Sequence, residues 1–119
     1  MDSVTDILIK MNDVVYVAGP MTGKDLFNYV QFYGFCGLIQ KEYQCFVLNP
    51  ARQQNGLTYE DYIRLALDDV EKATVIVFLD GWEKSRGAKI EMMKAIERGI
   101  RIILEDEIKK DLRYRIKVK

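Results

Sequence analysis

The stretch of this chain best suited to chemistry is Gly81-Trp82-Glu83-Lys84-Ser85-Arg86-Gly87-Ala88-Lys89-Ile90-Glu91. It follows the apolar run Val75 to Leu79 and leads into a helical pattern. A strand that ends in Gly, Ser and Gly and then opens a helix offers backbone N–H groups and the positive end of a helix dipole to an anion. Ser85, Arg86 and Gly87 are the candidates for holding that anion, and Trp82 for stacking on a ring. Glu91 lies four residues after Gly87, one turn inside the predicted helix. A carboxylate beside an anion pocket points to a small phosphorylated or sugar-bearing molecule. The chain has no histidine, so carboxylates are among the few groups left for proton transfer or nucleophilic attack.

The elements that must position these residues follow from the pattern. Val14 to Ala18 is a continuous, β-branched apolar run ended by Gly19-Pro20, which predicts a buried parallel strand. Met21 to Lys24 is a loop. From Asp25 to Glu42 apolar residues recur near helical spacing, and Gly34 and Gly37 inside that helix are expected to allow close packing on the sheet. Cys45 to Leu48 is a second strand, stopped by Asn49-Pro50, and Ala51 to Leu57 is a polar loop. Thr58 is an N-cap with Glu60 and Asp61 in the first turn of a helix that ends near Ala73. Thr74 to Leu79 is the third strand. Gly87 to Arg98 is the third helix, with Ile90, Met93, Ala95 and Ile96 as its apolar positions and Gly99 as its C-cap. Ile100 to Leu104 is the fourth strand, and Glu105 to Lys119 reads as a helical turn followed by an extended segment over 114–118. Residues 1–13 form a lead-in that frays.

Strands alternating with helices predict an α/β, flavodoxin- or Rossmann-like three-layer sandwich on a mostly parallel sheet of four to five strands. Ligands of such sheets bind beyond the carboxyl ends of the strands. Those ends are Gly19, Pro20, Met21, Thr22 and Gly23; then Asn49 to Arg52; then Asp80 to Gly87. Every polar stretch singled out above therefore meets at one edge.

Composition narrows the field. A length of 119 residues is one domain, and 49% hydrophobic with 30% charged residues supports an ordinary core. Basic and acidic residues balance at 18 each, which argues against nucleic acid or an anionic membrane as partner. The basic tail from Lys109 to Lys119 reads as a solvated face, with a phosphate-facing or subunit-facing arm as the alternative. Cys36 and Cys45 match no metal or redox spacing and read as buried free thiols, as expected of a cytoplasmic protein. No apolar run is long enough to span a membrane, and no signal peptide is recognised. The first loop lacks both Gly-x-Gly-x-x-Gly and Gly-Lys-Ser/Thr, so nicotinamide and ATP-hydrolysing functions lose their main support.

Together, Val-Tyr-Val-Ala-Gly-Pro-Met-Thr-Gly at 15–23, Asn49-Pro50-Ala51, and Gly-Trp-Glu-Lys-Ser-Arg-Gly-Ala-Lys-Ile-Glu at 81–91 resemble the nucleoside 2-deoxyribosyltransferase superfamily. The nearest part of it is a small branch of uncharacterised domains common in phage and bacterial genomes. The resemblance spans residues 14–104. It implies a flavodoxin-like fold and cleavage of an N-glycosidic bond, either by transfer of deoxyribose between bases or by hydrolysis of nucleoside 5′-monophosphates. It places the catalytic glutamate at Glu91, the first-strand tyrosine at Tyr16, the phosphate-gripping serine at Ser85 and the first ligand loop at Gly19 to Gly23. It implies no metal or organic cofactor, and a homo-oligomer whose subunits share active sites. One departure stands out. The relatives carry an aspartate in the helix before the third strand, and the matching position here is Ala66. Asp68 and Asp69 follow closely, and Asp69 is the expected substitute.

Chemically the assignment is coherent, because a carboxylate can stabilise, attack or hydrate the oxocarbenium-like state through which a glycosidic bond breaks. An acid near the leaving base is expected as well, with Asp69 and Glu83 as candidates. Plainer roles remain open for each residue: Glu91 in a helix turn, Trp82 in packing, Arg86 as a solvated charge, Tyr16 in the core. So do two other functions, a non-catalytic module that sequesters a nucleotide and an interaction scaffold.

Overall fold

The computed structural model describes residues 8–20, 29–49 and 58–118. The predicted loop at Met21, Thr22 and Gly23, the polar loop 51–57 and the lead-in 1–7 lie outside them. The elements are β1 (Val14–Ala18), α1 (Tyr29–Tyr43), β2 (Phe46–Leu48), α2 (Tyr59–Lys72), β3 (Val75–Phe78), α3 (Arg86–Arg98), β4 (Arg101–Leu104) and α4 (Glu105–Val118), with a single 3₁₀ turn at Trp82–Lys84. The four strands form one all-parallel sheet in the order β2-β1-β3-β4. This is the α/β three-layer sandwich that the alternating pattern predicts.

The period-2 geometry of strands splits the apolar runs between two faces. Val15, Val17, Val75, Val77, Leu79 and Ile103 join Phe32, Phe35, Cys36 and Ile39 of α1 and Ile108 of α4 in one core. Tyr16, Ala18, Ile76 and Phe78 join Ala66, Val70 and Ala73 of α2 and Ala95 of α3 in the other. Both cysteines are buried free thiols. The chain leaves β1 toward β2 on one side and leaves β3 toward β4 on the other. The centre of the sheet, between the carboxyl ends of β1 and β3, is therefore the switch point where such folds open a crevice.

Several expectations are corrected. Gly34 and Gly37 do not face the sheet: both are exposed, and a Cβ on either would meet nothing within 4 Å. The sheet-facing side of α1 is instead made by Phe32, Phe35, Cys36, Ile39 and Tyr43, at spacings of three and four. On α3, Met93 and Ile96 are exposed, and the buried positions are Ala88, Glu91 and Ala95. The described part of the lead-in, residues 8–13, is tied to the fold: Ile9 lies in the core, and the Asp13 carboxylate accepts from the Thr74 hydroxyl at 2.8 Å and from Arg101 Nη2 at 3.1 Å.

The chain end is not an extended segment. The backbone of α4 is helical through Val118. The alternation of apolar and basic residues at 114–118 loses to a helical stripe, Ile108 and Leu112, that packs on the α1 side of the sheet. The ion pairs Glu105–Lys109, Asp106–Lys110 and Asp111–Arg115 support it at i,i+4 spacing. Arg115 also lies 4.3 Å from the Tyr43 ring centroid, and Tyr43 donates to Asp111 at 2.5 Å, which ties α4 to α1. Among the described residues no helix is long and apolar enough to cross a membrane.

At Gly19 the carboxyl ends of β1 and β3 leave no room for a side chain. A Cβ there would sit 2.8 Å from the Leu79 Cβ, so only glycine lets the ends of β1 and β3 approach this tightly. Gly19→Ala is expected to destabilise the fold by about 1–3 kcal/mol. Gly34→Ala, in a helix interior with open space around it, is expected to stabilise it by about 0.5–1 kcal/mol. Urea unfolding of both variants checks the pair, and equal effects would contradict this packing.

Candidate functional site

The chain leaves β3 through a tightly specified turn. Leu79 N–H still pairs with Ala18 C=O at 2.8 Å, extending the β1–β3 ladder. Asp80 N–H then donates to Glu105 Oε1 at 2.7 Å. Gly81 adopts φ 90°, a left-handed conformation natural to glycine. The 3₁₀ turn Trp82–Lys84 follows, and Ser85 begins α3 as its N-cap, its Oγ accepting from Ala88 N–H at 3.2 Å. Lys89 N–H bonds the Ser85 carbonyl. The first amides of a helix have no partner inside it, and among the described residues those of Arg86 and Gly87 meet no acceptor.

Glu91 stands one turn further along α3, on the side that packs against the sheet. It is only 6% exposed. Tyr16, wholly buried on β1, donates its hydroxyl to Glu91 Oε2. Burial in this apolar layer pushes the Glu91 carboxyl up to about 7; the Tyr16 hydrogen bond works against that rise and the charge of Asp69 adds to it. The Tyr16 phenol is held well above its usual range, first by burial and then by the Glu91 charge. Asp69 of α2 contributes to both shifts and so belongs to the same neighbourhood. Its side chain is 18% exposed and lies 3.9 Å from Lys72 Nζ.

Tyr16 and Glu91 are thus in direct contact, and Asp69 of α2 is near enough for its charge to act on both. Three residues beyond Ala66 is a rotation of about 300°, which nearly restores the original face of a helix. Asp68, two residues beyond, points into solvent. Ala66 itself is buried in the core that contains Tyr16.

The remaining candidates divide. Gly19, Pro20 and Asn49 are buried at the carboxyl edge. Met21, Thr22 and Gly23 lie outside the described residues. Trp82 is half-buried and packs tilted on Phe78, ring centroids 5.3 Å apart. Glu83 is exposed on the 3₁₀ turn. The Arg86 guanidinium lies 4.9 Å from the Tyr59 ring centroid. Gly87 faces α2, where a Cβ would lie 3.5 Å from Ile63 Cδ1 and 3.9 Å from the Tyr59 hydroxyl.

Two residues at this edge escape a reading of the sequence. Tyr59 lies within the Thr58–Asp61 capping box, a signal for a helix start and not for a ligand. Glu105 falls in the tail, yet its buried carboxylate holds the Asp80 amide and the Lys109 ammonium, the latter at 3.0 Å. Among the described residues no cluster of three or more cysteine or carboxylate side chains forms a metal site.

The model of the family described as a domain of unknown function (DUF4406) matches residues 13–104, a span that takes in every element from β1 to β4. No curated protein matches the chain.

The Glu91 shift makes a signed prediction. Its folded value, about 7, lies above the ordinary 4.5, so the native state holds the proton more tightly than the unfolded chain does. That advantage is complete below about pH 4.5 and is lost as pH rises through about 7. Relative to Glu91→Gln, the wild type is expected to lose about 3 kcal/mol between pH 4.5 and 8. Urea titrations of both proteins across that range test it, and a difference that does not vary with pH would exclude a buried, perturbed carboxylate.

Proposed function

The chain belongs to the DUF4406 family, and from the site it carries we propose that it binds a nucleoside 5′-monophosphate and cleaves, or transfers at, its N-glycosidic bond. The observation that carries this reading is the buried Tyr16–Glu91 hydrogen bond, set one helical turn below the uncapped amides of Arg86 and Gly87. One turn spans about 5–6 Å, a separation suited to a sugar at Glu91 and its 5′-phosphate at the start of α3. The resemblance to nucleoside 2-deoxyribosyltransferases supports the same assignment.

The chemistry proceeds from the geometry. Tyr16 occupies one oxygen of the Glu91 carboxylate and fixes its orientation, leaving the other for the anomeric carbon. As the bond from that carbon to the base nitrogen breaks, its electron pair leaves with the base, which takes up a proton. The ionised carboxylate stabilises the developing oxocarbenium charge or bonds to the anomeric carbon. Water, or a second base in a transferase, then forms the new bond to that carbon and gives up its proton. A carboxyl poised near 7 suits both proton transfer and attack at neutral pH. Asp69, by raising that value, keeps Glu91 basic.

The resemblance also leads us to propose a homo-oligomer. Exposed apolar surface on α1 (Val30, Tyr33, Leu38) and on α3 (Met93, Ile96) is available for it. Ala66, standing where the relatives carry an aspartate, favours a second reading in which the nucleotide is bound and not cleaved.

Chromatography of nucleoside monophosphates incubated with the protein tests the proposal. Base release is expected for the wild type and a loss of at least about 100-fold for Glu91→Gln, in line with removal of a general acid–base or nucleophilic group. In Tyr16→Phe the hydrogen bond that opposes the Glu91 shift is gone, so the pH midpoint of the rate is expected to move upward. Binding without base release would select the sequestering function, and wild-type turnover by Glu91→Gln would remove Glu91 from the chemistry.

A further inference from the structure

We infer that Tyr59 is a specificity-determining residue of this site, its hydroxyl donating to the phosphate of a phosphorylated ligand held at the start of α3. The inference rests on the nucleotide reading above, which does not itself involve Tyr59.

Three observations meet at this side chain. Its hydroxyl oxygen is buried, and it has no hydrogen-bond partner among the described residues. A buried hydroxyl left unpaired is costly, so native structures seldom keep one without a use. The hydroxyl also faces the first turn of α3, 3.9 Å from where a Cβ on Gly87 would stand, and Gly87 carries one of the two uncapped amides there. Finally, the Tyr59 ring seats the guanidinium of Arg86 at 4.9 Å, which keeps a positive charge beside the same turn.

Tyr59 is moreover the first residue of α2, next to its Thr58 N-cap. The positive ends of α2 and α3 therefore lie side by side, with the tyrosine between them. The Gly87 backbone and the Tyr59 hydroxyl thus meet on the same turn, and Arg86, exposed and seated on the ring, stands beside them. Donor groups of three kinds, amide, phenol and guanidinium, suit the several acceptor oxygens of a phosphate monoester better than a neutral sugar.

Tyr59→Phe isolates the hydroxyl, because the phenyl ring still seats Arg86. Removing an unpaired buried hydroxyl is expected to leave the melting temperature of the free protein unchanged or raised. Calorimetric titration should then show affinity for nucleoside 5′-monophosphates weakened about tenfold or more, with affinity for the matching nucleosides unchanged. Inorganic phosphate serves as a probe independent of the base and sugar. If the wild type binds monophosphates and Tyr59→Phe binds them equally well, the inference is overturned and the nucleotide reading stands. If the wild type binds no nucleotide but binds inorganic phosphate more tightly than Tyr59→Phe does, the nucleotide reading falls and the phosphate role of Tyr59 stands. Equal binding of inorganic phosphate by both proteins in that case, or binding by neither, overturns both.

Discussion

A carboxylate placed in an apolar layer dominates this molecule. Glu91 lies between α3 and the sheet with almost no access to water, and its principal support is a single phenolic hydroxyl from β1. An isolated buried charge is among the most expensive features a fold can carry, and the cost appears directly as a carboxyl pushed up to about 7. Its surroundings are arranged around that cost. Tyr16 must be on the face of β1 that meets α3, which fixes the phase of the strand. Ala88 and Ala95, small residues on either side of Glu91 on α3, let the helix approach closely enough for the tyrosine to reach.

The same arrangement explains why the turn after β3 is so closely specified. If α3 shifted along its axis, Glu91 would lose its donor. Its start is therefore fixed from several directions: a left-handed Gly81, the 3₁₀ turn, the Ser85 cap, and Glu105 reaching from the opposite layer to hold the Asp80 amide. Gly19 lets β1 and β3 close up at their carboxyl ends, where the turn begins. The site is thus built on rigid elements, with its amides and its carboxylate on one helix at a fixed separation. Position-sensitive chemistry needs such pre-organisation.

Tyr59 and Arg86 show the other side of that economy. Among the described residues two buried side-chain polar atoms lack a hydrogen bond, Asn49 Nδ2 and the Tyr59 hydroxyl, and both lie at the carboxyl edge of the sheet. The phenol stands beside the first turn of α3, where Ser85 caps Ala88 N–H. It lies in the seam between α2 and α3 that also carries Asp69 and Glu91, so the seam runs from the carboxylate to the start of α3.

Much of this was legible in the sequence because it depends on local chemistry. Short β-branched runs bounded by turn residues read as buried parallel strands, and Gly99 and Thr58 mark helix ends by backbone geometry and capping. The Gly-Ser-Gly turn followed by Glu91 fixes a carboxylate one turn inside a helix whatever surrounds it. What the sequence could not decide depends on groups distant along the chain. The choice between strand and helix at 114–118 turned on packing of Ile108 and Leu112 against a core assembled from α1 and the sheet. The exposure of Gly34, Gly37, Met93 and Ile96 turned on which face of each helix the sheet claims, and helical spacing alone leaves more than one apolar face open. Tyr59 and Glu105, which a reading of the sequence leaves out, became neighbours of the site through the strand order β2-β1-β3-β4. That order brings the starts of α2 and α3 to the same edge and turns α4 back toward it. Local rules determine the elements and the distance of Glu91 from its turn; the charge it carries at neutral pH depends on burial, and burial is a property of the whole fold.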